Sequence, residues 1–141
     1  MNFPCDCVNP AEMRALGREM AEELAAGSVL GLCGDLGAGK TELVKGLAAG
    51  LGYEGLVTSP TFTLLHEYRG GSRPLFHFDF YRVEAAGEIV DLGWDELVEE
   101  EGVLAVEWPE RFPGLLPPET LILDIEFRPG GGRRVSRRQT G

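Results

Sequence analysis

The sequence predicts a single α/β domain in which a mixed central sheet, one β-hairpin included, is flanked by helices. Short continuous apolar runs, suited to strands covered on both faces, stand at residues 28–33 and 103–106. Around them lie stretches whose apolar residues recur at helical spacing. Two extended runs on either side of Arg69-Gly70-Gly71-Ser72-Arg73 read as a hairpin. Strands alternating with helices, plus that hairpin, require a sheet of mixed direction. A length of 141 residues gives one domain, large enough to fold without disulfides or metal.

In chain order, Asn9-Pro10-Ala11-Glu12 is a helix start: a side-chain cap, proline at the first helical position and a carboxylate at the third. Met13, Leu16, Met20 and Leu24 continue on one face, and Gly27 is the stop. Ser28 to Cys33 is a buried strand, followed by a glycine-rich turn. Leu43, Val44, Leu47, Ala48 and Leu51 mark a second amphipathic helix ending at Gly52. Thr58-Ser59-Pro60-Thr61-Phe62-Thr63 is an exposed loop leading into an extended run, Leu64 to Tyr68, and Leu75 to Tyr81 returns as the other arm of the hairpin. Glu84 to Glu101 is acidic and helical, broken near Gly93. Val103 to Val106 is a further buried strand, and Leu121 to Phe127 is the last clear one. Beyond it, Gly130-Gly131-Gly132 and the arginines suit either a flexible arm or a final edge strand through Arg134-Val135-Ser136.

The net charge of −10 is unevenly placed. All 23 acidic residues lie in residues 1–127, with eight basic ones, whereas Arg128, Arg133, Arg134, Arg137 and Arg138 crowd the end. Such a body repels a nucleic-acid backbone, so DNA is not an expected partner and RNA contact would need the tail or another protein. No apolar run is long enough to cross a bilayer, and Met1-Asn2-Phe3-Pro4 does not begin a secretory signal; a cytoplasmic protein is expected. Three cysteines suggest no disulfide framework. Cys5, Cys7 and Cys33 lack a suitably spaced fourth metal ligand.

Gly34-Asp35-Leu36-Gly37-Ala38-Gly39-Lys40-Thr41 fits the phosphate-binding loop G-x-x-x-x-G-K-[ST], between a predicted strand and a predicted helix. The chain's own composition gives roughly 0.003 chance matches over its length. Glycines let backbone amides converge on an anion, and the following helix adds its free N-terminal donors. Lys40 is placed to neutralise the outer phosphates and the Thr41 hydroxyl to coordinate Mg²⁺. The domain expected is therefore P-loop NTPase-like over residues 1–136, with 137–141 a short, flexible basic tail.

A nucleotide site of this kind needs carboxylates for its metal and its water. Asp79, near the end of the hairpin's second strand, and Glu107, following Val103 to Val106, are the two candidates; order alone does not divide their roles. Thr58, Ser59, Thr61 and Thr63 supply hydroxyls of the sort that sense a terminal phosphate, or plain polar surface. His66 and His77 read as packing or rim residues, and Trp108 as a stacking or a structural residue. Asn2 and Asn9 are the only asparagines, so no guanine-reading Asn-Lys-x-Asp motif exists. A minimal ATPase suits the chain better than a small-molecule kinase, whose arginine-rich lid is not evident; a nucleotide-gated binding module without turnover is the remaining alternative.

Four motifs in order resemble the TsaE family, small bacterial ATPases of the pathway that installs threonylcarbamoyladenosine beside the tRNA anticodon. They are Gly34 to Thr41, Ser59-Pro60-Thr61-Phe62-Thr63-Leu64, His77-Phe78-Asp79-Phe80-Tyr81-Arg82 and Val106-Glu107-Trp108-Pro109-Glu110, and the likeness spans roughly residues 9–136. The resemblance implies an ATP- and Mg²⁺-dependent hydrolase, weak alone, that acts on the TsaB–TsaD pair and meets tRNA only through it. The resemblance also implies that the protein does not itself transfer the threonylcarbamoyl group. By position it implies Thr41 and Glu107 as magnesium ligands, Asp79 supporting the metal or the attacking water, Thr61 in the phosphate-sensing loop, and Trp108 shaping the site. Lys40, Asp79 and Glu107 are the expected catalytic residues. Phe80, where the family more often has leucine, and the short basic C-terminus are the departures.

Overall fold

A computed structural model describes residues 2–35 and 37–138. Its strands are β1 (Cys5–Cys7), β2 (Val29–Cys33), β3 (Leu65–Tyr68), β4 (Leu75–Asp79), β5 (Val103–Glu107), β6 (Leu121–Phe127) and β7 (Arg133–Arg137). Its α-helices are α1 (Pro10–Glu23), α2 (Lys40–Gly50), α3 (Ala86–Asp91) and α4 (Trp94–Glu99). All seven strands form one sheet in the order β1-β7-β6-β2-β5-β4-β3. The central four, β6, β2, β5 and β4, run parallel; β3 pairs antiparallel with β4, β7 with β6, and β1 with β7. The predicted mixed sheet with its hairpin is therefore present.

Side-chain alternation on the parallel strands splits the interior into two layers. Leu30, Leu32, Leu75, Val103 and Ala105 face α1 and α2, where Met13, Met20, Leu43 and Leu47 are buried against them. Phe76, Phe78, Phe80, Leu104 and Val106 face the other way, onto Ile89, Trp94 and Leu97. Trp94 is the hub of that layer, edge-on to Phe78 and Phe80 at 5.0 and 5.7 Å. The same parity puts His77, Asp79 and Glu107 on the face that carries α2.

The helices start and stop where local chemistry directs. The Asn9 side chain accepts from the Glu12 amide at 2.9 Å, while Glu12 accepts from the Val8 amide at 3.0 Å, a reciprocal cap. Gly93, at φ +100°, separates α3 from α4, as the sequence predicted. α1 and α2 cross at unusually close range: a Cβ on Gly46 would collide with the Arg14 carbonyl, and one on Gly17 with the Leu43 carbonyl.

Three expectations change. β4 stops at Asp79 and does not reach Tyr81, because Phe80 donates to the Glu107 carbonyl (3.0 Å) and Tyr81 donates to Asp79 Oδ1 (2.9 Å), which turns the chain. Arg133 to Arg137 form neither a free arm nor an edge, since β7 lies between β6 and β1. Of the tail expected at 137–141, Arg137 instead closes β7 and Arg138 grips both oxygens of Asp124; residues 139–141 lie outside the described ones. β1 was not foreseen. Three residues carry no periodicity, and β1 is held from the far end of the chain by Arg128 and Arg134 on Asp6.

Candidate functional site

β2, wholly buried, delivers the glycine-rich loop from the middle of the sheet. A Cβ on Gly34 would stand 2.7 Å from the Ile125 carbonyl, so the loop departs pressed against β6. Gly37 and Gly39 take φ of +81° and +107°, conformations that strain any residue with a side chain. Gly39 then caps α2 without a side chain, which leaves the amides of the first turn free to meet an anion.

Lys40 is buried at the base of this loop. Its ammonium donates to the Gly34 carbonyl at 2.7 Å and lies 4.1 Å from the centroid of the Trp108 ring. Burial pushes its pKa below the usual lysine value, and the charges of Glu107 and Asp79 act against that shift. Trp108 has φ +59°, an outlying conformation for a bulky residue, and its ring meets Tyr81 at 4.8 Å. Trp108 walls one side of the lysine, and Tyr81 packs against Trp108.

Asp79 and Glu107 are register partners at the carboxyl ends of parallel β4 and β5, each 5% exposed. Burial raises the Asp79 pKa, and the neighbouring Glu107 charge adds to the rise. Glu107 accepts a hydrogen bond from His77 Nε2 at 2.6 Å; His77 is wholly buried. Across the cavity, the Ser59 and Thr61 hydroxyls share a hydrogen bond (2.9 Å), and Thr61 Oγ1 reaches Asp79 Oδ2 at 3.5 Å. The foot of that loop is fixed, since Tyr68 Oη donates to the Thr58 carbonyl (3.1 Å) and accepts from the Thr58 amide (3.3 Å).

A cavity of about 280 Å³ results, bounded by Gly37, Gly39, Lys40, Thr41, Glu42, Ser59, Thr61, Asp79, Glu107 and Trp108. Most of the residues proposed from sequence thus meet in one place. Gly34 contributes its carbonyl to Lys40, and Ala38 is buried within the loop. Asp35 does not line this cavity; it borders a separate hollow with Cys33, Asp124 and Glu126. Leu36 lies outside the described residues.

On the other flank of the loop, a second cavity of about 160 Å³ is walled by Val8, Pro10 and Met13 and closed by Arg133. Arg133 also holds the loop itself: Nε donates to the Ala38 carbonyl (3.1 Å) and Nη2 to the Gly37 carbonyl (3.2 Å). From sequence His77 read as a packing or rim residue and Arg133 only as one of the C-terminal arginines; neither was assigned to the site. For Arg133 the only available signal was an arginine cluster without acidic residues beside it in the chain.

The buried carboxylates of Asp79 and Glu107 and the Thr41 hydroxyl offer oxygen ligands to the larger cavity, whereas the Glu42 carboxylate at its rim is taken up by Arg14 and Lys45. Among the described residues, no three His, Cys, Asp or Glu side chains gather as a metal centre. The set fits Mg²⁺, which is commonly held by one or two carboxylates together with the phosphates it serves. Two half-paired carboxylates under burial also favour a cation between them. Among the described residues, no helix is long and apolar enough to cross a membrane.

Residues 7–136 match the family model described as "Threonylcarbamoyl adenosine biosynthesis protein TsaE". A Bacillus subtilis protein named tRNA threonylcarbamoyladenosine biosynthesis protein TsaE is 47% identical over 119 residues, covering 84% of this chain and 74% of the relative. A Synechocystis protein of the same name is 48% identical over 103 residues, covering 70% of this chain and 65% of that one. The crystal structure of YdiB from Bacillus subtilis superposes with a TM-score of 0.84 at 37% identity, over 99% of this chain and 86% of its own.

Proposed function

The chain belongs to the TsaE family, and on that premise we propose that it is a Mg²⁺-dependent ATP hydrolase serving tRNA threonylcarbamoyladenosine formation through the TsaB–TsaD pair. One observation carries the hydrolase: Lys40, Thr41, Asp79 and Glu107 line a single cavity at the carboxyl ends of parallel strands, at the mouth of a phosphate-binding loop. The names of the family's members support the pathway.

The triphosphate lies along the loop, its outer phosphates in the larger cavity and its nucleoside toward the hollow between Met13 and Arg133. Backbone amides of Gly37, Gly39, Lys40 and Thr41 bind the phosphates, that of Ala38 being taken by the Asp35 carbonyl, and Lys40 leaves the Gly34 carbonyl to neutralise them. Thr41 and Glu107 would hold Mg²⁺, which would supply charge neutralisation of the phosphoryl oxygens. Asp79 would support the metal and orient a water whose oxygen bonds to the γ-phosphorus as the bond from that phosphorus to the ADP oxygen breaks, giving ADP, inorganic phosphate and a proton released to solvent. Thr61, beside Asp79, brings its loop to the γ-phosphate and senses whether it is present. Trp108, with Tyr81 packed against it, shields the reacting end from solvent.

The acidic body suits this division of labour, since the protein need not hold tRNA if its partners do. The test is phosphate release measured alone and with the TsaB–TsaD pair. Weak release that the pair increases is the expected result. Partner-independent release, or no ATP binding, contradicts the proposal, and phosphate appearing on a small acceptor makes the protein a kinase instead.

A further inference from the structure

His77 has no place in the mechanism above, yet it is the one wholly buried histidine and it touches a residue assigned to the metal. It sits on β4 opposite Ala105, with Asp79 two residues on and opposite Glu107. A methyl group at 105 leaves the imidazole room to lean along the ladder toward Glu107, and Nε2 comes within 2.6 Å of Glu107 Oε2. The other ring nitrogen, Nδ1, is buried with no hydrogen-bond partner.

Those two facts fix the tautomer. A proton on Nδ1 would be a buried donor left unmade, whereas a bare Nδ1 leaves only a lone pair unpaired, the lesser cost. The proton therefore belongs on Nε2, which donates to the carboxylate. Oε2 is then engaged from behind by a rigid ring locked between strands, and the other oxygen, Oε1, is left for a ligand in the cavity. The arrangement resembles the supporting hydrogen bonds that aim metal-binding groups in many sites.

We propose that His77 is a positioning residue for the divalent cation: its Nε2–H holds Glu107 so that a single oxygen, Oε1, faces the metal. This rests on the magnesium site proposed above. His77 takes no part in phosphate binding, because it does not line the cavity, and it is a positioning group acting through Glu107.

The test compares the wild type, His77→Asn and His77→Gln. A glutamine amide nitrogen stands about where Nε2 stands, whereas the asparagine amide stops short, near Nδ1. Binding of Mn²⁺ to the protein–ADP complex is followed by electron paramagnetic resonance, and binding of ADP without metal by calorimetry. We expect His77→Asn to weaken Mn²⁺ about tenfold or more, with metal-free ADP binding unchanged, and His77→Gln to recover most of the loss. Metal affinity equal to the wild type in His77→Asn, or a parallel loss of metal-free ADP binding, overturns the inference. Should neither variant fold, the wild type decides: ring-nitrogen NMR must find the proton on Nε2, and a proton on Nδ1 overturns it. A wild type that binds no Mn²⁺ with ADP defeats the proposed magnesium site itself, an outcome distinct from a normal wild type with an indifferent His77.

Discussion

Asp79 and Glu107 face each other across the β4–β5 ladder, two buried carboxylates at the same level on adjacent parallel strands. Burial, with the Glu107 charge adding to it, disfavours the ionised Asp79 carboxylate, and its raised pKa records that cost. Asn at 79 removes the charge and still offers an oxygen to the Tyr81 amide. Asp79→Asn is therefore expected to raise the melting temperature of the metal-free protein by a few degrees while lowering turnover about a hundredfold or more. Calorimetric melting without Mg²⁺, alongside phosphate release with it, checks both halves; an unchanged melting temperature refutes the stated electrostatic cost.

Lys40→Ala and Thr41→Ala separate two duties of the loop. Both are expected to lose turnover by about a hundredfold or more, since each removes a group stabilising charge at the phosphates. Only Lys40→Ala should also weaken nucleotide binding in the absence of Mg²⁺. Unchanged phosphate release in either variant would remove the basis of the assignment.

Gly46 lies where α2 meets the backbone of α1, against the Arg14 carbonyl. A methyl group there has no flexible neighbour to displace, so Gly46→Ala is expected to cost about 1–3 kcal/mol by overpacking, despite alanine's better helix propensity. Urea denaturation measures it. A neutral or stabilised variant would mean the helices part more easily than their separation suggests.

The buried thiols set an alkaline limit. Burial raises Cys7 to about 11 and Cys33 to about 12, with Glu110 adding to the rise at Cys33. An unfolded cysteine ionises from about pH 8.5 while the folded thiols stay protonated, so the folded state binds more protons and stability falls as pH climbs above that point. Melting followed from pH 8 to 10 should show this decline, and Cys7→Ala with Cys33→Ala together should flatten it. A double variant with the wild-type slope would assign the alkaline loss to other groups.

The residues that announced the fold did so through local signals. Val29 to Cys33 is apolar at every covered position, Gly34 to Thr41 obeys a spacing, and the Asn9 cap needs only its own four residues. Asp79 and Glu107 were legible as acids ending strands, although that they are ladder partners depends on β4 lying beside β5, which no local pattern encodes. His77 read only as a packing or rim residue, because its contact with the site comes from Glu107 on another strand. Arg133 is similar: β7 gains its place through pairings with β6 and with β1, far away in the chain. Pairings between distant segments are where sequence patterns fall silent, and here they supply the supports of the site.

The central claim is that one loop and two carboxylates make a joint site for ATP and Mg²⁺. Calorimetric titration of a non-hydrolysable ATP analogue into the wild type and Glu107→Gln, each with and without Mg²⁺, tests it most directly. The account predicts that Mg²⁺ tightens binding to the wild type and that Glu107→Gln loses this gain while keeping its metal-free affinity. Binding to the wild type that is indifferent to Mg²⁺, or a gain that survives in Glu107→Gln, would contradict it.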